Sequence, residues 1–106
     1  MRIKNLDYGL SVQDNERETE IVIMGSCGQS GHSSLVVVFM GVDGGMQGVP
    51  EVVANIPYGM IGVEEIPTEI RKALRRISKN FIEPVTFLTE DDEDEIVRRW
   101  LNLGAV

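Results

Sequence analysis

The first 63 residues arrange their apolar positions as short runs or alternations that are typical of β-strands. Residues 2–12 alternate apolar and polar positions, and Leu6, Tyr8, Leu10 and Val12 share one face at a period of two, which predicts one outer strand. The polar residues 13–18 then predict a turn. Residues 19–24 and 35–40 are nearly continuous apolar runs, and such runs predict central strands that are buried on both faces.

Glycine and serine separate these strands. Residues 25–34 predict a long hairpin tip with its reversal near Ser30 and Gly31, because glycine supplies the positive φ of tight turns. Residues 41–48 contain four glycines in eight positions, which predicts a loop. Residues 51–58 then predict a fourth strand that ends near its proline, since proline cannot donate to a sheet ladder.

The last third of the chain changes to helical periodicity. A helix is predicted over 67–80, with Pro67 in its first turn and one apolar face: Ile66, Ile70, Ala73, Leu74, Ile77 and Phe81. A second helix is predicted over 90–102, with Thr89 as its N-cap, Asp92 completing a capping box and Gly104 past its end.

These elements predict an α+β fold, in which an antiparallel sheet of four to five strands, an N-terminal β-meander, is covered by two C-terminal helices. The 106 residues suit a single domain, mostly β over 1–63 and mostly α over 64–106. The first predicted helix is about 14 residues long, which is marginal in water by itself. Its apolar face is therefore expected to pack on the sheet.

Composition and charge exclude several classes of protein. The net charge of −7 argues against direct nucleic-acid binding, since phosphate neutralisation by Lys and Arg supplies most non-specific affinity. No apolar run approaches the roughly 18 residues that span a bilayer, and no leader pattern follows Met1. The single cysteine, Cys27, cannot form an intrachain disulfide. We therefore expect a cytoplasmic protein that does not contact membranes.

The hairpin tip holds the residues nearest to a chemical motif. A thiolate beside an imidazole can act as a nucleophile, but Cys27 and His32 have no third group to orient them, so we expect no enzymatic activity. The glycine spacing matches no phosphate-binding motif, and we expect neither a cofactor nor a metal. The tip is a candidate contact for a small ligand or a neighbouring subunit: Ser26, Cys27, Gln29, Ser30, His32 and Ser33.

Two charged helix faces are the competing candidate surface. The first helix carries Arg71, Arg75 and Lys79, and the second begins with six carboxylates in succession, 90–95. These faces either pair with each other or remain available to steer a protein partner. The candidate partner contacts are Arg71, Arg75, Lys79, Glu90, Asp91, Asp92 and Asp94.

The sequence thus favours a small acidic binding protein without enzymatic activity, an inhibitor, adaptor or regulator that acts by protein contact and forms a homo-oligomer, with a dimer as the first expectation. An alternative is a protein that binds or sequesters a small ligand or nucleotide through the glycine-rich loops. A weaker alternative is a nucleic-acid mimic, in which the acidic run 90–95 imitates phosphates.

Overall fold

A computed structural model describes residues 2–14, 19–25, 34–41, 51–60, 62–80 and 88–103. Five antiparallel strands form one sheet in sequence order: β1 (Arg2–Leu6), β2 (Gly9–Asp14), β3 (Thr19–Met24), β4 (Ser34–Gly41) and β5 (Glu51–Pro57). Two short 3-10 turns, Tyr58–Met60 and Val63–Glu65, lead into α1 (Ile66–Asn80), and α2 (Glu90–Asn102) follows. The predicted α+β class, with its N-terminal meander and two C-terminal helices, is confirmed.

The single outer strand predicted over 2–12 is wrong. Leu6 pairs with Gly9, so the chain reverses through the two residues Asp7 and Tyr8 and forms a tight hairpin. Directly opposite residues share a face, so Ile3 lies on the core face with Val12, whereas Leu6, opposite Gly9, lies on the other face from Leu10 and Val12. The single face predicted for Leu6, Tyr8, Leu10 and Val12 is therefore broken at the turn. The sheet gains its fifth strand from this turn.

Burial of the central strands on both faces is also wrong. Every second residue of β3 and β4 is buried, while the residues between them keep partial exposure. Both helices pack on the same face of the sheet, so only that face belongs to the core. The core joins the sheet to the helices through these side chains: Leu10, Val12, Ile21, Ile23, Leu35, Val37, Phe39, Val53, Ile66, Ile70, Ala73, Leu74, Ile77, Leu88, Ile96, Val97 and Trp100.

The helices follow the sequence closely. The first begins one residue before the predicted 67–80, and the second has the predicted bounds. The capping box is confirmed: the amide of Asp92 donates to Thr89 Oγ1, and the amide of Thr89 donates to Asp92 Oδ2, each at 3.1 Å. Gly104 lies outside the described residues, as do residues 26–33 of the predicted tip 25–34 and residues 42–48 of the predicted loop 41–48.

One buried indole ties α2 to the sheet. Trp100 has no exposed surface, and its Nε1 donates to the carbonyl oxygen of Gly25 at 2.9 Å. Gly25 follows β3 with φ of 97°, a conformation that glycine adopts without strain, and its own amide donates to the carbonyl of Tyr8. Trp100 therefore fixes the point where β3 ends and where the predicted hairpin tip begins.

Within the part of the chain that the structure describes, neither helix has the length and apolar character that crossing a membrane requires.

Candidate functional site

The predicted loop site lies outside the described residues. This holds for all of its members: Ser26, Cys27, Gln29, Ser30, His32 and Ser33. The described chain reaches Gly25 on one side and resumes at Ser34 on the other. Loop contact with a ligand or subunit therefore stays a prediction.

The two charged helix faces pair with each other. The guanidinium of Arg71 lies 2.7 Å from Asp94 Oδ1, and Arg75 Nε lies 3.2 Å from Glu93 Oε1. Both pairs join α1 to α2, so part of the charge that the sequence left available to partners is neutralised within the molecule. Lys79 is exposed, and no ion pair of its ammonium group occurs among the described residues.

The acidic run divides into separate roles. Asp92 serves the helix cap, Glu93 and Asp94 pair with α1, and Glu95 pairs with Arg98 one turn along α2. Glu90 and Asp91 are exposed in the first turn, where negative charge complements the helix dipole. The run therefore presents few carboxylates that are not already engaged. Among the described residues, no three His, Cys, Asp or Glu side chains converge as metal ligands.

Replacing Arg75 by Met should cost about 1–2 kcal/mol of unfolding free energy, because Glu93 would lose its cation while remaining largely buried. The side chain of Glu93 is 10% exposed and that of Arg75 is 66% exposed. The loss of stability therefore arises mainly from the buried carboxylate of Glu93, which would be left without its cation. Urea denaturation followed by circular dichroism measures the difference.

The matched control for this change is Arg98→Met, whose partner Glu95 is more exposed and lies on the same helix. We expect it to cost about 0.5 kcal/mol or less, as for other surface pairs. Adding Glu93→Gln to Arg75→Met should restore part of the lost stability. Equal losses for the two arginine variants would show that the buried carboxylate does not depend on Arg75.

The face of the sheet opposite the helices, which we call the open face, is the largest feature that the sequence did not predict. On strands β3 to β5, alternation and register bring six apolar side chains together there: Val22, Met24, Val36, Val38, Met40 and Val52. Val22, Val38 and Val52 align across three strands; Val52 is 60% exposed, and the other five side chains are partly exposed. No described element covers this face.

A polar cluster borders the open face on β2 and β3. The hydroxyl of Ser11 and the amide nitrogen of Gln13 both donate to Glu20 Oε2, at 2.9 and 2.8 Å. These bonds hold the carboxylate of Glu20 against its own sheet, beside the apolar side chains. The open face therefore has an apolar part on β3–β5 and a hydrogen-bonded polar part on β2 and β3.

A groove runs along the outer edge of β5. It has a volume of about 250 Å³ and lies between four successive residues of β5 and one stripe of α1: Val53, Ala54, Asn55, Ile56, Glu69, Lys72, Ala73 and Arg76. Because β5 has only β4 as a neighbour in the described sheet, its other edge faces this groove.

An arginine reaches each outer strand of the sheet. Arg76 donates to the carbonyl oxygen of Val53 on β5 at 2.9 Å, and Arg99 donates to that of Ile3 on β1 at 3.3 Å. Val53 stands opposite no residue of β4, since the register shifts there from Ala54 to Val52. Arg76 thus bonds to the irregular point of β5.

Comparison of this chain with protein-family models, with curated proteins and with solved structures finds no match.

The sequence contains signals for the open face and for the groove, but they can be interpreted only when the topology of the sheet is known. Two helices are sufficient to cover one face of a sheet, which indicates an open second face. Lys72 and Arg76 are spaced by one helical turn, and by spacing alone they belong with the other basic residues of α1. Only their position beside β5 separates them from Arg71 and Arg75, which turn toward α2.

Proposed function

We propose that this chain is a non-enzymatic binding protein, an inhibitor, adaptor or regulator that acts by protein contact. The observation that carries the proposal is the open face, where six apolar side chains lie outside the core. A contiguous apolar surface of this kind is typical of protein interaction sites. We also propose a cytoplasmic location, which the single cysteine supports, because proteins of reducing compartments rarely use disulfides.

A second copy of the chain is the occupant that we propose for the open face. In a two-fold symmetric pair the same patch meets itself, so apolar side chains of β3–β5 would cover apolar side chains. Met24 and Met40 are unbranched and can adjust to one another across such a contact. The apolar patch is therefore chemically complementary to itself.

The size of the open face sets the expected strength of this pair. Five strands spaced about 4.8 Å apart, with about six residues each, give a flat area of about 480 Å². Stable interfaces bury about 800 Å² on each partner, so this contact belongs to the weak, reversible class. We expect a dimer with a dissociation constant of about 10–500 µM.

Sedimentation velocity across concentrations from about 10 µM to about 1 mM tests this dimer. The unmodified chain should shift from monomer toward dimer over that range, and Val38→Lys should remain monomeric. Val38 lies between Val22 and Val52 on the open face, so a charge there would be buried in the contact.

Thr68→Lys is the matched control, because it adds the same charge at an exposed position of α1, on the helical side of the molecule. It should associate as the unmodified chain does. A monomer at all concentrations, or equal association of the Val38→Lys and Thr68→Lys variants, would contradict self-association through the open face.

A further inference from the structure

We propose that the groove between β5 and α1 binds an extended, acidic segment of a partner protein, which pairs with β5 as a sixth strand and places a carboxylate between Lys72 and Arg76. This inference rests on the proposed function, since it gives a partner class to a protein-binding chain. It uses a different surface from the open face, so the two proposals can fail separately.

The lining of the groove combines the edge of a strand with the side of a helix. One wall is the edge of β5 over residues 53–56, and the other is the side of a helix, with Ala73 between Lys72 and Arg76 leaving room near the backbone. An added strand lies about 4.8 Å from its neighbour, so a helix beside a sheet edge forms a channel for one extended chain. Main-chain groups of β5 would supply most of the affinity.

The irregular residue Val53 limits the length of pairing. Its carbonyl already accepts from Arg76, and it has no partner on β4. At the other end, Pro57 has no amide proton to donate. Pairing is thus confined to Ala54–Ile56, which corresponds to a short segment and to modest affinity.

The charges that line the groove favour an acidic segment. Two cations and one anion line the groove, and Lys72 Nζ lies 3.5 Å from Glu69 Oε1 with its side chain 63% exposed. Such a surface pair is weak and leaves Lys72 able to turn toward another carboxylate. A guanidinium carries five N–H donors, so Arg76 can bond to Val53 and still donate to a carboxylate.

A displayed library of linear seven-residue peptides, selected on the full chain, tests the proposal without a named partner. We expect the selected peptides to combine β-branched residues with Asp or Glu. Anisotropy titration of the best peptide should show weaker binding by about fivefold or more when its carboxylate is changed to an amide. Lys72→Gln and Arg76→Gln should each weaken the original peptide by a similar factor.

N-methylation of the peptide separates strand pairing from simple charge attraction. Methyl groups on alternate backbone nitrogens should reduce binding by about tenfold or more, while methyl groups on the intervening nitrogens should have little effect, because a strand points successive amides to opposite edges. Charge attraction alone would not produce this alternation.

Arg98→Gln removes the same charge on α2 and should leave peptide binding unchanged, and so should Val38→Lys on the open face. Arg76→Gln also removes a hydrogen bond to β5, so a loss of binding in this variant has two explanations. Lys72→Gln, at an exposed side chain that makes no such bond to the described residues of β5, is therefore the second variant. The proposal is overturned if no peptide is selected, if Lys72→Gln binds the selected peptide as tightly as the unmodified chain, or if N-methylation has no alternating effect.

Discussion

Gly9→Ala should be severely destabilising for the addition of a single methyl group, with a loss of about 4 kcal/mol or more of unfolding free energy. A β-carbon built at Gly9 would lie 1.8 Å from the carbonyl oxygen of Ile23, a distance that no real contact reaches. The obstacle is backbone of the neighbouring strand, so relief requires β2 and β3 to separate. Urea denaturation monitored by far-ultraviolet circular dichroism measures the loss.

Gly59→Ala is the matched control, because nothing lies within 4 Å of a β-carbon built there. It should change stability by about 0.5 kcal/mol or less. Failure to obtain Gly9→Ala as folded protein, when Gly59→Ala does fold, would also show that the added methyl group prevents β2 from pairing with β3. Similar stabilities for the two variants would contradict the close approach of β2 to β3 at Gly9.

Trp100→Ala should reduce the unfolding free energy by about 3–5 kcal/mol, the usual cost of removing a large buried aromatic side chain. Trp100 is fully buried in the core and is also hydrogen-bonded to Gly25. Trp100→Phe should cost less, because it retains most of the packing and loses the bond that satisfies the buried carbonyl of Gly25, a loss of about 1–3 kcal/mol. Circular dichroism is the suitable probe, since Trp100 is the only tryptophan of the chain.

Leu101→Ala, at the next position on α2, is the control because its side chain is 45% exposed. We expect it to cost about 1 kcal/mol or less. A loss for Trp100→Ala no larger than that for Leu101→Ala would show that the indole does not hold α2 on the sheet.

Both helices could be predicted because their signals are local. The apolar spacing of α1 and the Thr89 capping box of α2 depend on residues within a few positions of one another. The strands β3, β4 and β5 were likewise marked by apolar runs between glycine, proline and polar residues. Local chemistry therefore determined where most elements begin and end.

The β1–β2 turn has a local signal that the strand pattern conceals. Asp7 and Gly9 are residue types that favour turns, but the alternation of Leu6, Tyr8, Leu10 and Val12 runs across the reversal and hides it. A two-residue hairpin places residues of opposite parity on one face, so Ile3 and Val12 share the core face whereas Leu6 and Leu10 do not. The sign of this in the sequence is Ile3, which is out of phase with the four later apolar residues, and one residue is too weak a signal to place a turn.

The sequence by itself determined the α+β class, the order of the elements, the extents of α2 and β3, and the segregation of charge onto two helices. Only the tertiary structure decided that both helices cover one face of the sheet, that Arg71 and Arg75 pair with α2, and that Lys72 and Arg76 border a groove at β5. The physical reason is the sequence separation over which each kind of interaction acts. Periodicity and capping act between near neighbours in the chain, whereas a face, a salt bridge between helices or a sheet edge joins residues that the sequence keeps far apart.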